Sequence, residues 1–355
     1  MRETSSTPST NNQRSTAKTL AKILAIAAVC MIGGLILLSV VLMLVFAWQQ
    51  KNKPEQIGVS FSQVQAERYG SDWHDNYTNM LEDLGFKHIR VAAYWDRVES
   101  APGQYNFSEL DWMIEQAKQH NSKLTVVVGQ KTLRVPECYY PQWLDRNNTK
   151  EVSDRANALI AAIAEHYSNE PTIEKWQLEN EFLLRNFGQC PKQNLTNLAL
   201  MRELRTLQRA DKMSRPIVLS QSDQFGFPIV GPFTSDYGFS MYRTVWCGWC
   251  HNYYVYPQGG WFNWWKAAII HFYTGANIKI HELQAEAWGP MGNEYLSYNE
   301  AQKSMNPDKL ADNIAYARST HIKDFDLWGV EWWYWLRQHG HPQMWEAIRS
   351  TINRG

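Results

Sequence analysis

The sequence predicts a single (β/α)8 TIM barrel of the α/β class, preceded by one N-terminal transmembrane helix. Eight short β-branched or apolar runs alternate with longer stretches of helical period over roughly three hundred residues, which fits a closed barrel better than a doubly wound sheet with a second domain. Ahead of them, the run from Ile23 to Trp48 carries no charged residue and is long enough to cross a bilayer. No internal repeat or second domain is evident. The expected organisation is a disordered cytoplasmic tail at 1–18, a signal-anchor helix at 19–48, a short linker at 49–56 and a catalytic barrel at 57–355.

The candidate strands, in order, are Ile57–Phe61, His88–Ala92, Leu124–Val128, Lys175–Asn180, Ile217–Ser220, Gly238–Tyr242, Ile278–Glu282 and Leu327–Glu331. Helical periodicity marks 72–85, 108–120, 151–168, 195–211, 259–274, 307–321 and 342–353, with Pro307-Asp308 a typical helix start. The weakest unit is the fifth. Between its strand and the next, Gln221–Asp236 holds Gly, Pro and Phe without helical period, and an irregular loop is expected there.

Function in such a barrel gathers where strands run into the following loops, so the strand ends carry the chemistry. Strand four ends in Asn180-Glu181, strand six in Met241-Tyr242-Arg243, strand seven in His281-Glu282 and strand eight in Glu331-Trp332-Trp333. Arg90 lies within strand two, where a guanidinium is costly unless it meets a carboxylate. Two carboxylates, an Asn for a sugar hydroxyl, an Arg and a Tyr to hold one carboxylate, and Trp surfaces for sugar faces make a glycosidase inventory.

These residues also carry a family likeness. The run RVAAYWDRVESAPGQYNFSELDWMIEQAK resembles the second-strand region of the retaining (β/α)8 glycoside hydrolases of clan A, the cellulase, mannanase and β-galactosidase type. Asn180-Glu181 is similar to that clan's fourth-strand Asn-Glu pair, and Ile278–Glu282 to its seventh-strand end; the likeness spans about Ile57 to Gly340. It implies Glu181 as general acid and then base, Glu282 as nucleophile, Asn180 on the 2-hydroxyl, Arg90 and Tyr242 hydrogen-bonded to Glu282, and Trp333 flooring the subsite at the cleaved bond. The implied reaction retains configuration across carboxyl groups about 5–5.5 Å apart, whereas inversion needs about 6.5–9.5 Å. A carbohydrate substrate follows, with no cofactor.

Rival readings stand beside several of these residues. Glu179 shares strand parity with Glu181 and would be a barrel-interior or salt-bridged residue. In HELQAEAW, Glu286 has the parity of Glu282 and is the alternative nucleophile. Trp95 and Trp333 could line a cleft or fill the core. Glu137, in VPECYYP, could line the cleft or pair with an arginine, and strand alternation points His281 away from Glu282. A catalytically silent sugar-binding barrel, or a transglycosylase using the same residues, are the functional alternatives.

Arg14, Lys18 and Lys22 against Lys51 and Lys53 favour a cytoplasmic amino terminus, so that everything after residue 50 faces outward. A cleaved signal peptide would have an apolar region about half as long and an A-x-A-like site, and Leu-Val-Phe-Ala-Trp is a poor one. Past residue 50 the chain has 31 basic and 34 acidic side chains, which gives no electrostatic reason to expect nucleic acid. Four of five cysteines lie outside the span, and a Cys138–Cys190 pairing is one possibility among disulfides and plain thiols. The CGWC run from Cys247 lacks the strand-then-helix setting of a redox motif. Sites for N-linked glycosylation stand at Asn76, Asn106, Asn147 and Asn194, and the scattered histidines form no metal-ligand motif.

Overall fold

The computed structural model describes residues 10–182, 184, 188–221 and 234–353. Eight parallel strands close into a barrel: β1 (Gln56–Ser60), β2 (His88–Ala92), β3 (Lys123–Val128), β4 (Ile173–Leu178), β5 (Ile217–Gln221), β6 (Asp236–Met241), β7 (Asn277–Gln284) and β8 (Asp324–Trp328). Each pairs with its sequence neighbours, and β1 closes on β8 through Gln56↔Asp324 to Ser60↔Trp328. The main helices are α1 (Thr10–Gln50), α2 (Trp73–Asn79, continued by one π turn), α3 (Ser108–Gln119), α4 (Thr149–His166), α5 (Asn197–Ala210), α6 (Gly260–Thr274), α7 (Pro307–Ser319), α8 (Val330–Gln338) and α9 (Gln343–Ile352). The loop expected over Gln221–Asp236 lies mostly outside the described residues.

Local chemistry explains the helix limits. Asn148 caps α4 by accepting from Glu151 N at 3.2 Å, Thr196 caps α5 through Ala199 N at 3.1 Å, and Asn306 caps α7 through Lys309 N at 2.9 Å with Pro307 next. Gly275, at φ 73°, ends α6 in the left-handed region that a side chain resists. Helix α1 begins at Thr10, inside the stretch expected as a disordered tail, because a helix once nucleated in the apolar run propagates cheaply into flanking polar residues.

Two layers divide the barrel wall. Outward residues such as Val59, Ile89, Val91, Leu124, Val126, Trp176 and Leu178 are buried against the helices. The interior is polar, and its floor is an ion network: Lys279 Nζ lies 2.9 Å from Asp326 and 3.4 Å from Asp324, while Lys175 Nζ reaches Asp236 at 3.2 Å and Asp324 at 3.3 Å. Gly58 makes room for it, since a Cβ there would meet Asp326 Oδ1 at 2.3 Å and the His88 carbonyl at 2.8 Å.

The eighth strand departs from expectation. It stops at Trp328, and Gly329, at φ 135°, turns the chain at once into α8, so Glu331, Trp332 and Trp333 are helical. Helix α8 was invisible in the sequence because its Trp-rich start reads equally as strand. Cys138 and Cys190 are joined across 52 residues, and Cys247 and Cys250 are joined at the turn of a hairpin (Thr244–Cys247 with Asn252–Val255) rather than at a helix start.

The floor network gives a stability test. Gly58→Ala pushes a methyl group into Asp326 and a backbone carbonyl, and a loss of about 1–3 kcal/mol is expected. A thermal midpoint several degrees lower, followed by circular dichroism, checks it; an unchanged midpoint contradicts the packing described.

Candidate active site

The carboxyl ends of the strands open into a cavity of about 730 Å³ whose lining includes Asn180, Glu181, Tyr242, Glu282, Glu286 and Trp328. Backbone distortion aims the first of these. Beyond the end of β4, Glu179 and Glu181 sit at φ 59° and 49°, a region sparsely allowed for residues with a Cβ. Strand alternation is therefore broken. Glu179 turns away from the cavity and accepts from Gln130 N at 2.7 Å and Lys131 N at 2.6 Å, where Gly129 leaves space that a Cβ would fill. Glu181 faces the cavity, its N–H held by Ser220 Oγ at 2.9 Å and its Oε1 accepting from Ser240 Oγ.

Glu282 is aimed by a different distortion. The register of β7 shifts between Ile280 and Glu282 against β6, which is the signature of a bulge and places two consecutive side chains on one face. His281 consequently does not point behind the sheet. Its Nε2 lies 3.7 Å from Glu282 Oε1 and 3.4 Å from Ser240 Oγ, and burial depresses its pKa well below the usual histidine value, leaving a neutral ring.

Arg90 and Tyr242 converge on the same carboxylate. Arg90 donates to Glu282 Oε1 at 3.1 Å, and Tyr242 donates to Oε2 at 2.9 Å. Burial, with the nearby Glu282 charge, holds the Tyr242 hydroxyl well above the ordinary tyrosine pKa, so it stays a donor. Arg90 also donates to Asn180 Oδ1 at 2.7 Å, and Gln177 Nε2 donates to the same oxygen at 3.1 Å, which directs the Asn180 amide N–H groups elsewhere.

The two glutamates are brought close together. Oxygen atoms of Glu181 and Glu282 and a ring nitrogen of His281 all lie within 4.8 Å of one another. Burial first, then the Glu282 charge, pushes the Glu181 carboxyl up to about 8. Such a trio could in principle hold a cation, but Arg90 already occupies Glu282 Oε1 and its charge opposes one.

Glu286 sits in a different environment. It lies beyond the end of β7, and its Oε1 accepts from Arg134 Nη1 at 2.5 Å and Trp328 Nε1 at 2.9 Å. Arg134 also bonds Glu331 and stacks over the Trp328 ring at 4.1 Å, forming one wall of the cavity. Glu137 lines the cavity too, paired not with an arginine but with Lys131 at 3.0 Å, and burial raises it to about 7.

Two expected cleft residues are elsewhere. Trp333 is fully buried on α8, donating to the Ala285 carbonyl at 2.7 Å, because the chain has already left the strand at Gly329. Trp95 is 1% exposed and donates to Glu99 Oε2 at 2.8 Å, so it fills the core. The indoles that line the cavity are instead Trp246, Trp288 and Trp328. Ser240 was legible in principle, since it shares strand parity with Tyr242; Lys131 and Arg134 come from an aperiodic loop and gave no signal.

No protein-family profile matches the chain. A β-galactosidase, BgaA, from Clostridium cellulovorans is 26% identical over 122 residues, which is 29% of this chain and only 18% of that relative. Among solved structures, a GH5_18 protein from Bifidobacterium longum subsp. longum in complex with Manβ1-4GlcNAc has a TM-score of 0.58 and 13% identity, over 84% of this chain and 78% of that one. The exo-β-1,4-mannosidase Op5Man5 from Opitutaceae bacterium strain TAV5 has a TM-score of 0.54 and 14% identity, over 77% of this chain and 51% of that one. A GH10 endo-β-1,4-xylanase from Gloeophyllum trabeum has a TM-score of 0.54 and 12% identity, over 84% and 96% of the respective chains. In fold, the chain is thus a (β/α)8 barrel of the kind built by the GH5 and GH10 glycoside hydrolases of clan A, which it resembles.

Proposed function

We propose that the chain is a retaining glycoside hydrolase that cleaves β-glycosidic bonds of an oligo- or polysaccharide, with Glu282 as nucleophile and Glu181 as acid/base. One observation carries the reading: two cavity carboxylates whose oxygens come within 4.8 Å stand in opposed environments. Glu181, raised to about 8, holds a proton at neutral pH, while Glu282 accepts from Arg90 and Tyr242 on its two oxygens. Their closeness favours direct attack over the wide gap into which an inverting enzyme admits water.

In this mechanism Glu282 attacks the anomeric carbon as the carbon–oxygen bond to the leaving group breaks, and Glu181 delivers its proton to the departing oxygen. A glycosyl ester on Glu282 results. Ionised Glu181 then removes a proton from water attacking the same carbon, Glu282 departs as carboxylate, and configuration is retained. The Asn180 amide N–H groups would hold the 2-hydroxyl, and Trp246, Trp288 and Trp328 in place of Trp333 offer the aromatic surface. Glu286 is read as a wall residue, because Arg134 and Trp328 share its oxygen. The solved relatives include a complex with Manβ1-4GlcNAc and a β-1,4-mannosidase, which favours a β-linked hexoside here. A transglycosylase would use the same residues with a sugar hydroxyl in place of water.

The 57–355 domain would be held at a membrane by α1, amino terminus cytoplasmic and barrel outside. Among the described residues one helix, Lys18–Gln50, is long and apolar enough to cross a bilayer, and a signal sequence passes the same test.

Three measurements test the chemistry. Glu282→Ala should lower turnover of aryl β-glycosides by roughly 10⁴-fold, with azide restoring part of it as a glycosyl azide; unchanged activity would sink the nucleophile assignment and promote Glu286. For Glu181→Ala, loss should be about 10²–10⁴-fold with a poor leaving group and much smaller with an activated aryl one. A loss independent of leaving group counts against the acid role. The pH profile follows from the same residue: kcat/KM on unactivated substrates should fall as pH rises through about 8, as Glu181 loses its proton, and the activity that Glu181→Gln retains should lack that limb.

A further inference from the structure

Helix α6 is the most apolar element of the barrel's outer ring, and its outward face carries no charge. Its buried side packs Asn263, Lys266, Ala267, Ala268 and Ile270 inward. Lys266, its one lysine, is turned in, with Nζ 4.9 Å from the Phe239 ring. Trp261 and Phe272 point outward at 63% and 71% exposure, and the half-buried Trp265 and Ile269 fall between them at helical spacing. An uncharged aromatic stripe of this kind is unfavourable against water and suits a surface that is apolar at one depth and wet at the next.

The position of the stripe supplies the partner. Helix α6 packs on the carboxyl end of α1: Trp264 Nε1 donates to the Met43 carbonyl at 2.9 Å, and the buried Phe46 ring meets His271 at 5.6 Å. Those α1 residues lie near the end of the uncharged run Ile23–Trp48, which as a helix extends about 39 Å. A hydrocarbon core is about 30 Å thick, so with Lys22 at its far boundary roughly the last six residues of the run fall at headgroup depth. That is the depth at which α6 is attached. Trp48, 76% exposed, stands at the same level, as aromatic residues do at membrane–water boundaries.

We propose that the outer face of α6 lies in the headgroup layer of the bilayer as a second membrane contact. The inference rests on the reading of α1 as a membrane span. With two contacts, the barrel is held side-on at a fixed attitude, and its cavity keeps a constant height above the lipid.

Site-directed spin labelling of the full-length chain in phosphatidylcholine–phosphatidylglycerol vesicles tests this. With Cys30→Ser as background, nitroxides are placed singly through Trp261→Cys, Phe272→Cys, Ile32→Cys and Lys150→Cys, and collision rates with oxygen and a water-soluble nickel chelate are compared. The expected result is an oxygen-to-nickel ratio at 261 and 272 several-fold above that at 150 and below that at 32. Ratios at 261 and 272 equal to that at 150, with 32 still lipid-exposed, overturn the α6 contact and leave the span standing. An aqueous ratio at 32 overturns the span itself. Labels at 261 and 272 shielded from both reagents and broadened by each other across chains would replace the bilayer with a second copy and overturn the proposal. The two positions are exposed and independent, so the reading survives if one variant fails to fold.

Discussion

The barrel interior is organised around one buried cation. Arg90 is 1% exposed, and its guanidinium donates to Ser60 Oγ at 3.0 Å, the His281 carbonyl at 2.6 Å, Asn180 Oδ1 at 2.7 Å and Glu282 Oε1 at 3.1 Å. Those partners belong to β1, to β7 and to the segment just past β4, so a single side chain ties together widely separated parts of the wall. Stripping a guanidinium of water is costly, and breaking a buried pair by removing one partner typically costs about 3–5 kcal/mol. The site carboxylate and the fold therefore depend on the same contact.

From that cation the rest of the site takes its asymmetry. Glu282 lies on the side of Arg90 and Tyr242, whereas Glu181 accepts from the Ser240 hydroxyl and feels burial, the Glu282 charge and the weaker opposed fields of Lys131 and Glu137. Two like groups in one cavity thus stand in unlike surroundings, and burial with the neighbouring charge holds Glu181 toward its protonated form. A neutral, buried His281 between them adds no competing charge.

Much of the architecture was legible beforehand. Alternating apolar runs and helical periods located the strands, and β2 was read to the residue, His88–Ala92. Where alternation fails, the reading failed too. The bulge in β7 reversed the expected direction of His281, and positive φ at Glu179 and Glu181 separated two glutamates that parity would have put together. The Gly329 turn moved Trp333 into the core and left Trp328 at the cavity.

By itself the sequence determined the kind of fold, the apolar helix ahead of it, and a short set of polar residues at strand ends, because periodicity and composition are local properties of a chain. Only the tertiary structure decided between Glu282 and Glu286 as the carboxylate that Arg90 and Tyr242 reach, since both have the same parity in sequence and are told apart by the partners they meet, Arg90 and Tyr242 for one, Arg134 and Trp328 for the other. It alone brought in Ser240, Lys131 and Arg134, and set α6 against the end of α1. Those outcomes turn on distances between segments far apart in the chain, which no local pattern encodes.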